Sequence, residues 1–170
     1  SKAVLDGRNA EDAEKLMKNA GLVIFAGGHI PTQNAFFRRV DMKRLIHGYD
    51  GVLIGISAGT MNSARIVYSH PEREGEAASK DFVRFFDGLG LTEIEVIPHY
   101  QLIKGTTLDG MRLFEDVAYP DSFTHELHVF PDGTYIYIDG EHQEIRGEAY
   151  LIRDGVFEKI SDDGETVRIK

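Results

Sequence analysis

Two short runs along the chain are apolar at every position, "LVIFA" from Leu22 to Ala26 and "GVLIGI" from Gly51 to Ile56. Runs this short, bounded by glycine, predict strands buried on both faces, the pattern of a parallel sheet. Around them the spacing turns helical. "NAEDAEKLMKNAG" predicts a helix with Asn9 as N-cap, acids in its first turn, Leu16 and Met17 on its apolar face and Gly21 as its stop. "PTQNAFFRRVDMKRLIHGYDG" predicts a second helix opened by Pro31, and "AGTMNSARIV" a third that follows the second strand. Past a polar loop, "KDFVRFFDGLG" predicts a short helix, "EIEVIPHY" a strand and "TLDGMRLFEDVAYP" another helix. From residue 126 apolar and polar positions alternate between Asp-Gly turns, in "ELHVFPDGTYIYIDG", "EAYLIRDGVFEKI" and "ETVRIK". Those are the marks of hairpins.

Alternating strands and helices followed by hairpins predict an α/β fold, with a mostly parallel sheet, helices on both of its faces and a β-rich C-terminal part. No repeat, low-complexity tract or long linker divides the chain, so residues 1–170 are expected to form one domain. In such sheets chemistry gathers beyond the carboxyl ends of the strands. Gly27-Gly28-His29, Ser57 and His99 all fall there.

Composition narrows the chemistry. The chain has no cysteine, which removes disulfides, thiolate metal sites and a thiol nucleophile, and fits a cytoplasmic protein. A formal net charge of −9 argues against nucleic acid as a partner. No apolar run approaches the ~20 residues of a membrane span, so no membrane partner is expected either.

"GISAG" places Ser57 between a predicted strand and a predicted helix, the setting of a nucleophile elbow. There a serine sits in a strained turn that exposes its hydroxyl, and small neighbours avoid a clash. A glycine-rich turn that binds phosphate, or nothing, is the competing reading. A serine nucleophile needs a base and a group to orient that base. Of the seven histidines, His99 ends a predicted core strand, and His29 ends another and could line the same pocket. His47 and His70 are expected to be solvated, and His142 lies near a turn. His125 and His128 in "HELH" suggest a metal, but residues three apart on a strand point to opposite faces, so no metal and no cofactor is expected. An α/β-hydrolase order would run Ser57, Asp109 or Asp121, then His125 or His128. Taking His99 instead leaves Asp116, Asp121, Asp132 and Asp139 open as the acid.

Four blocks together, "FAGGHIPTQN", "GISAGTMNSA", "VIPHYQ" and "FPDGTYIYIDG", resemble the dipeptidase E family of serine peptidases, which also contains cyanophycinases. The resemblance runs from about Leu5 to the end of the chain, with the blocks in the family's order. It implies a flavodoxin-like, class I glutamine amidotransferase-like fold and a serine exopeptidase that takes small peptides, with N-terminal aspartate favoured. Carried onto this sequence, it implies Ser57 as nucleophile, His99 as base and Asp132 as acid. It also implies Gly28 and Ala58 as oxyanion-hole donors, with His29, Gln33 and Asn34 in the loop that binds substrate. Asp132 stands where the family has glutamate, and the "GGHIPTQN" loop is one residue longer than the dipeptidase's. An N-terminal βαβ portion of the family's sheet is expected to be missing, which implies a homodimer or a separate N-terminal segment. The same residues admit two other readings: an inactive amidotransferase-like binding module, or a phosphate- or nucleotide-binding flavodoxin-like protein without a Gly-x-x-x-x-Gly-Lys loop.

Overall fold

The computed structural model describes residues 2–169. It forms two compact units, one made of the chain up to Ser69 with Phe86–Glu93, the other of His70–Phe85 with everything from Ile94 onward.

In the first unit a 3₁₀ turn, Ala10–Asp12, leads into α1 (Ala13–Lys18), followed by β1 (Leu22–Phe25), α2 (Ile30–Arg39), α3 (Met42–Ile46), β2 (Val52–Gly55), α4 (Ala58–Ser63) and β3 (Ile66–Tyr68). The chain comes back into this unit through β4 (Phe85–Asp87). Strands β1 and β2 pair in parallel, from Leu22 opposite Val52 to Phe25 opposite Gly55. Because side chains alternate along a strand, this register sends Phe25, Val23 and Leu53 to one face, where they pack with Met17, Phe37 and Met42. The other face carries Leu22, Ile24, Val52 and Ile54, which are 41–58% exposed. The expectation of burial on both faces is therefore corrected for these two strands. Their apolar runs are continuous, but the described residues of this unit cover one face only.

Three local expectations also change. Asn9 does not cap a helix; its carboxamide instead accepts from the Asp6 N–H and donates to the Val4 carbonyl. The single helix expected after Pro31 is two, because Asp41 takes a left-handed φ of 51° and breaks it. The segment "KDFVRFFDGLG" supplies β4 and a turn rather than a helix. Its return is pinned by Gly88 N–H to Arg65 O and Leu89 N–H to Asn62 O.

The second unit holds β5 (Glu95–Ile97), α5 (Tyr100–Ile103), β6 (Thr107–Leu108), β7 (Met111–Arg112), a π-helical turn (Leu113–Ala118), α6 (Tyr119–Asp121) and β8 (Leu127–Val129). Then come β9 (Tyr135–Asp139), β10 (His142–Arg146), β11 (Ala149–Arg153), β12 (Val156–Ser161) and β13 (Thr166–Ile169). A four-stranded sheet runs β12-β11-β8-β5 and a three-stranded one β13-β10-β9. Ile94, Val96, Phe130, Ile145 and Ala149 form a core cluster here. The expected hairpins are present. At the β11–β12 turn, Asp154 and Gly155 both have positive φ, 52° and 74°, the geometry that Asp-Gly favours in two-residue loops. Around Gly110 the expected helix is instead the β6–β7 hairpin. Asp109 makes that turn worthwhile by accepting from the N–H groups of Gly75, Ala77 and Ala78. The fold is thus mixed α/β. Parallel pairing joins β1 to β2 and β5 to β8, while β9 to β13 pair antiparallel, the β-rich C-terminal part expected from the hairpins.

His70, expected in solvent, is buried. Burial holds its pKa down at about 4, helped by the charge of His99 and opposed by Glu76. Burial likewise holds His128 at about 4, opposed by Glu126. In the unfolded chain both protonate near 6.5, so below that pH the unfolded state binds more protons. Stability is therefore complete above pH 6.5 and falls as pH drops towards 4. Between pH 7 and 5, above the carboxylate range, each histidine should remove roughly 2 kcal/mol. Urea midpoints across that range should drop accordingly, and His128→Met should lose about half the slope. A midpoint that stays flat from pH 7 to 5 contradicts the assignment.

Candidate active site

One group of candidate residues lies in the first unit. Strand β2 ends at Gly55, and Ser57 turns the chain into α4 with φ 52° and ψ −114°. A serine in that region is strained and persists only when its surroundings hold it. Here they do. The Ile56 N–H donates to Phe25 O, the Gly59 N–H to Ile56 O and the Met61 N–H to Ser57 O. The small residues on either side are required by contact. A Cβ on Gly55 would lie 2.8 Å from the Thr60 nitrogen, and one on Gly59 would overlap the carbonyl oxygen of Phe25. The strand-turn-helix expected from "GISAG" is therefore built, with Ser57 half-buried and Ala58 buried.

The loop after β1 runs beside this turn. A Cβ on Gly27 would stand 3.5 Å from that of Ser57. Gly28 has φ 154° with open space around it, so its backbone, not crowding, restricts what could replace it. His29 precedes α2 and is half-buried, its Nδ1 2.8 Å from the Thr32 hydroxyl. Gln33 donates from Nε2 to Ala26 O at 2.5 Å. Asn34 is buried, and its Nδ2 donates to Asn62 Oδ1 and to Asp87 O, both at 3.0 Å. These bonds tie α2 to α4 and to the end of β4.

A separate group lies in the second unit. His99, two residues past β5, has a left-handed φ of 60° and precedes α5. Its Nδ1 is 2.6 Å from Asp132 Oδ1. The contact follows from register. Strands β5 and β8 are parallel neighbours with Ile97 opposite Val129, and the Phe130 N–H donates to Ile97 O. Residues just beyond each strand therefore emerge at the same level. The Asp132 N–H is fixed in turn by Gln101 Oε1 at 3.1 Å. The side chains of His99 and Asp132 are 39% and 55% exposed, so the pair is open to solvent.

The other acids left open by the sequence are engaged elsewhere or lie apart. Asp116 binds Arg112 at 2.7 Å, which holds its carboxyl down at about 2. Asp121 is buried against Arg84 at 2.8 Å, Asp109 receives the backbone N–H groups described above, and Asp139 sits at the β9–β10 hairpin. His125 pairs with Glu95 at 2.7 Å and stacks on Phe85, which engages it away from Asp109 and Asp121. Among the described residues no group of three His, Asp or Glu side chains could hold a metal ion. His70 was the residue that sequence reasoning placed wrongly. Its only local signal was the short apolar run Ile66–Tyr68, one residue removed from it.

The sequence model of peptidase family S51 matches residues 7–146. A search of curated protein sequences gave no match. Among solved structures, the chain is similar to a peptidase from an acI-B1 Actinobacterium, with a TM-score of 0.67 and 20% identity, over 98% of this chain and 67% of that one. It is also similar to a putative peptidase E protein from Listeria monocytogenes EGD-e, with a TM-score of 0.55 and 13% identity, over 89% of this chain and 65% of that one. The chain thus spans about two thirds of the length of both. At these identities the likeness is one of fold.

Proposed function

The chain belongs to peptidase family S51, and on that footing we propose that it is a serine exopeptidase of the dipeptidase E type, acting through Ser57, His99 and Asp132. The observation that carries the reading is Ser57 itself, held at φ 52° on a strand-to-helix turn whose flanking glycines have no room for a side chain. The contact of His99 with Asp132 supports it, because it commits Nδ1 and leaves Nε2 as the ring atom for base chemistry.

In the proposed reaction Nε2 of His99 takes the proton from Ser57 Oγ as that oxygen attacks the scissile carbonyl. Asp132 keeps the ring in the right tautomer and stabilises the imidazolium. The Gly28 and Ala58 N–H groups hold the oxyanion, each donor contributing roughly 3–4 kcal/mol. His99 then protonates the leaving amine, and water releases the acyl group by the same steps in reverse order.

The proposed substrate is a short peptide with a free amino terminus, aspartate favoured as its first residue. A cation is needed for that side chain. Arg65, Arg73 and Arg112 are the candidate anchors, of which Arg65 is engaged with Glu93 and Arg112 with Asp116. The test pairs a fluorophosphonate with a peptide series. The reagent should add once, at Ser57. Asp-Leu should be cleaved faster than Ala-Leu, and N-acetyl-Asp-Leu should be cleaved slowly or not at all. Faster cleavage of the acetylated peptide contradicts an exopeptidase. Equal rates for Asp-Leu and Ala-Leu contradict aspartyl preference alone. Inertness to the reagent favours a binding module that has kept the elbow without the activity.

A further inference from the structure

Three side-chain amides join the loop after β1 to the helix that follows Ser57. Asn62 on α4 is fully buried and Asn34 on α2 nearly so. Asn62 Nδ2 donates to Ile30 O at 3.2 Å and to Gln33 Oε1 at 3.1 Å, while its Oδ1 accepts from Asn34 Nδ2 at 3.0 Å. Asn34 Nδ2 also donates to Asp87 O, and Gln33 Nε2 donates to Ala26 O.

The direction of every bond in this network is set. Each amide nitrogen faces one backbone carbonyl, those of Asp87, Ile30 and Ala26 for Asn34, Asn62 and Gln33, and a carbonyl can only accept. Turning any one amide over would set oxygen against oxygen. The three side chains thus have a single mutually consistent orientation, two of them buried and Gln33 half-buried. Apolar packing could hold two helices together at least as firmly, without the desolvation of three amides. What an amide network adds is direction.

Its two ends lie at the proposed oxyanion donors. Ala26 is two residues before Gly28, and Asn62 lies four residues after Ala58 on α4. Between them Gly27 runs against Ser57. We infer that the Gln33–Asn62–Asn34 network is the positioning device that fixes the Gly28 N–H relative to Ser57 and the Ala58 N–H. Gln33 is the residue that couples it to the loop. The inference rests on the proposed function above, since it concerns the same oxyanion site.

Gln33 provides the test, because Asn62 and Asn34 are buried and their variants could simply misfold. Ala26 is exposed, so its carbonyl can turn to water when Gln33 is replaced, and the fold loses little. Gln33→Met keeps the length without the donor. Gln33→Glu keeps the acceptor for Asn62 Nδ2 but cannot donate to Ala26 O at neutral pH. The experiment measures the rate of fluorophosphonate labelling at Ser57, kcat and KM on Asp-Leu per labelled site, and Tm. Both variants should label and turn over roughly 10- to 100-fold more slowly, less than the loss of a whole oxyanion donor because the donor is displaced and not removed, with KM nearly unchanged. Their Tm should stay within about 2 °C of the parent. A merely structural role would instead lower Tm and the active fraction, leaving kcat per labelled site intact. If the parent labels at Ser57 and both variants match its rate per folded molecule, the inference falls and the proposed function stands. If the parent never labels at Ser57, both fall together.

Discussion

Replacing Ser57 by alanine should abolish fluorophosphonate labelling and reduce peptide hydrolysis by roughly a million-fold, the loss seen when a serine peptidase gives up its nucleophile. The fold should survive the change. The strain at φ 52° belongs to the backbone, and alanine carries the same Cβ as serine into the same turn. Only Oγ is lost. The hydrogen bonds that hold the turn run between backbone groups of Phe25, Ile56, Ser57, Gly59 and Met61, none of which the substitution touches. Intact protein mass before and after labelling reads the outcome, with circular dichroism as the check on folding. Labelling that persists in Ser57→Ala, or that maps to Ser63 or Ser69, contradicts the assignment of the nucleophile.

Asp132→Asn should lower kcat by about four orders of magnitude while leaving KM within a few-fold of its starting value. The reason is the tautomer. An aspartate at 2.6 Å makes Nδ1 the protonated nitrogen of a neutral His99 and so leaves Nε2 able to accept. An asparagine can present its NH₂ group to Nδ1 instead. That favours the proton on Nε2, and a ring in that form cannot take one from Ser57. Solvent has access to both side chains, so screening weakens the Coulombic share of the interaction and orientation carries most of the effect. Asp132→Glu is the informative companion, because glutamate is the residue that the family resemblance puts at this turn. It should retain far more activity than Asp132→Asn, since it keeps a carboxylate. A kcat for Asp132→Asn within ten-fold of the parent would remove Asp132 from the mechanism and leave His99 in place.

What was legible in the sequence was the part set by neighbours along the chain. The elbow at Ser57 could be read because its requirement, no side chain at Gly55 or Gly59, is local and steric. The Asp154-Gly155 hairpin could be read because positive φ at two successive positions demands those residue types. His99 stood out because it directly follows a strand-like run. The strands β1 and β2 were also placed correctly, since a continuous apolar run shows in the sequence whatever covers it.

Tertiary structure decided the rest. Four aspartates were open on spacing, and only the family resemblance pointed to Asp132. Its contact with His99 comes from the parallel register of β5 and β8, set by hydrogen bonds between residues some thirty positions apart. No local pattern encodes that register. His70 lies in a polar stretch, yet packing buries it, and Asp109 turns a helix-like stretch into a hairpin by binding backbone thirty-odd residues upstream. Gln33 and Asn34 belong to the block that carries the resemblance, but their amides find their partners on α4 and at Asp87 only when the chain has folded. Turns and caps are governed by forces that act within a few residues, so the sequence determines them directly. Strand partners, buried amides and covered faces depend on which distant segments meet, and that is settled only when the competing ways of burying the same apolar surface have been resolved.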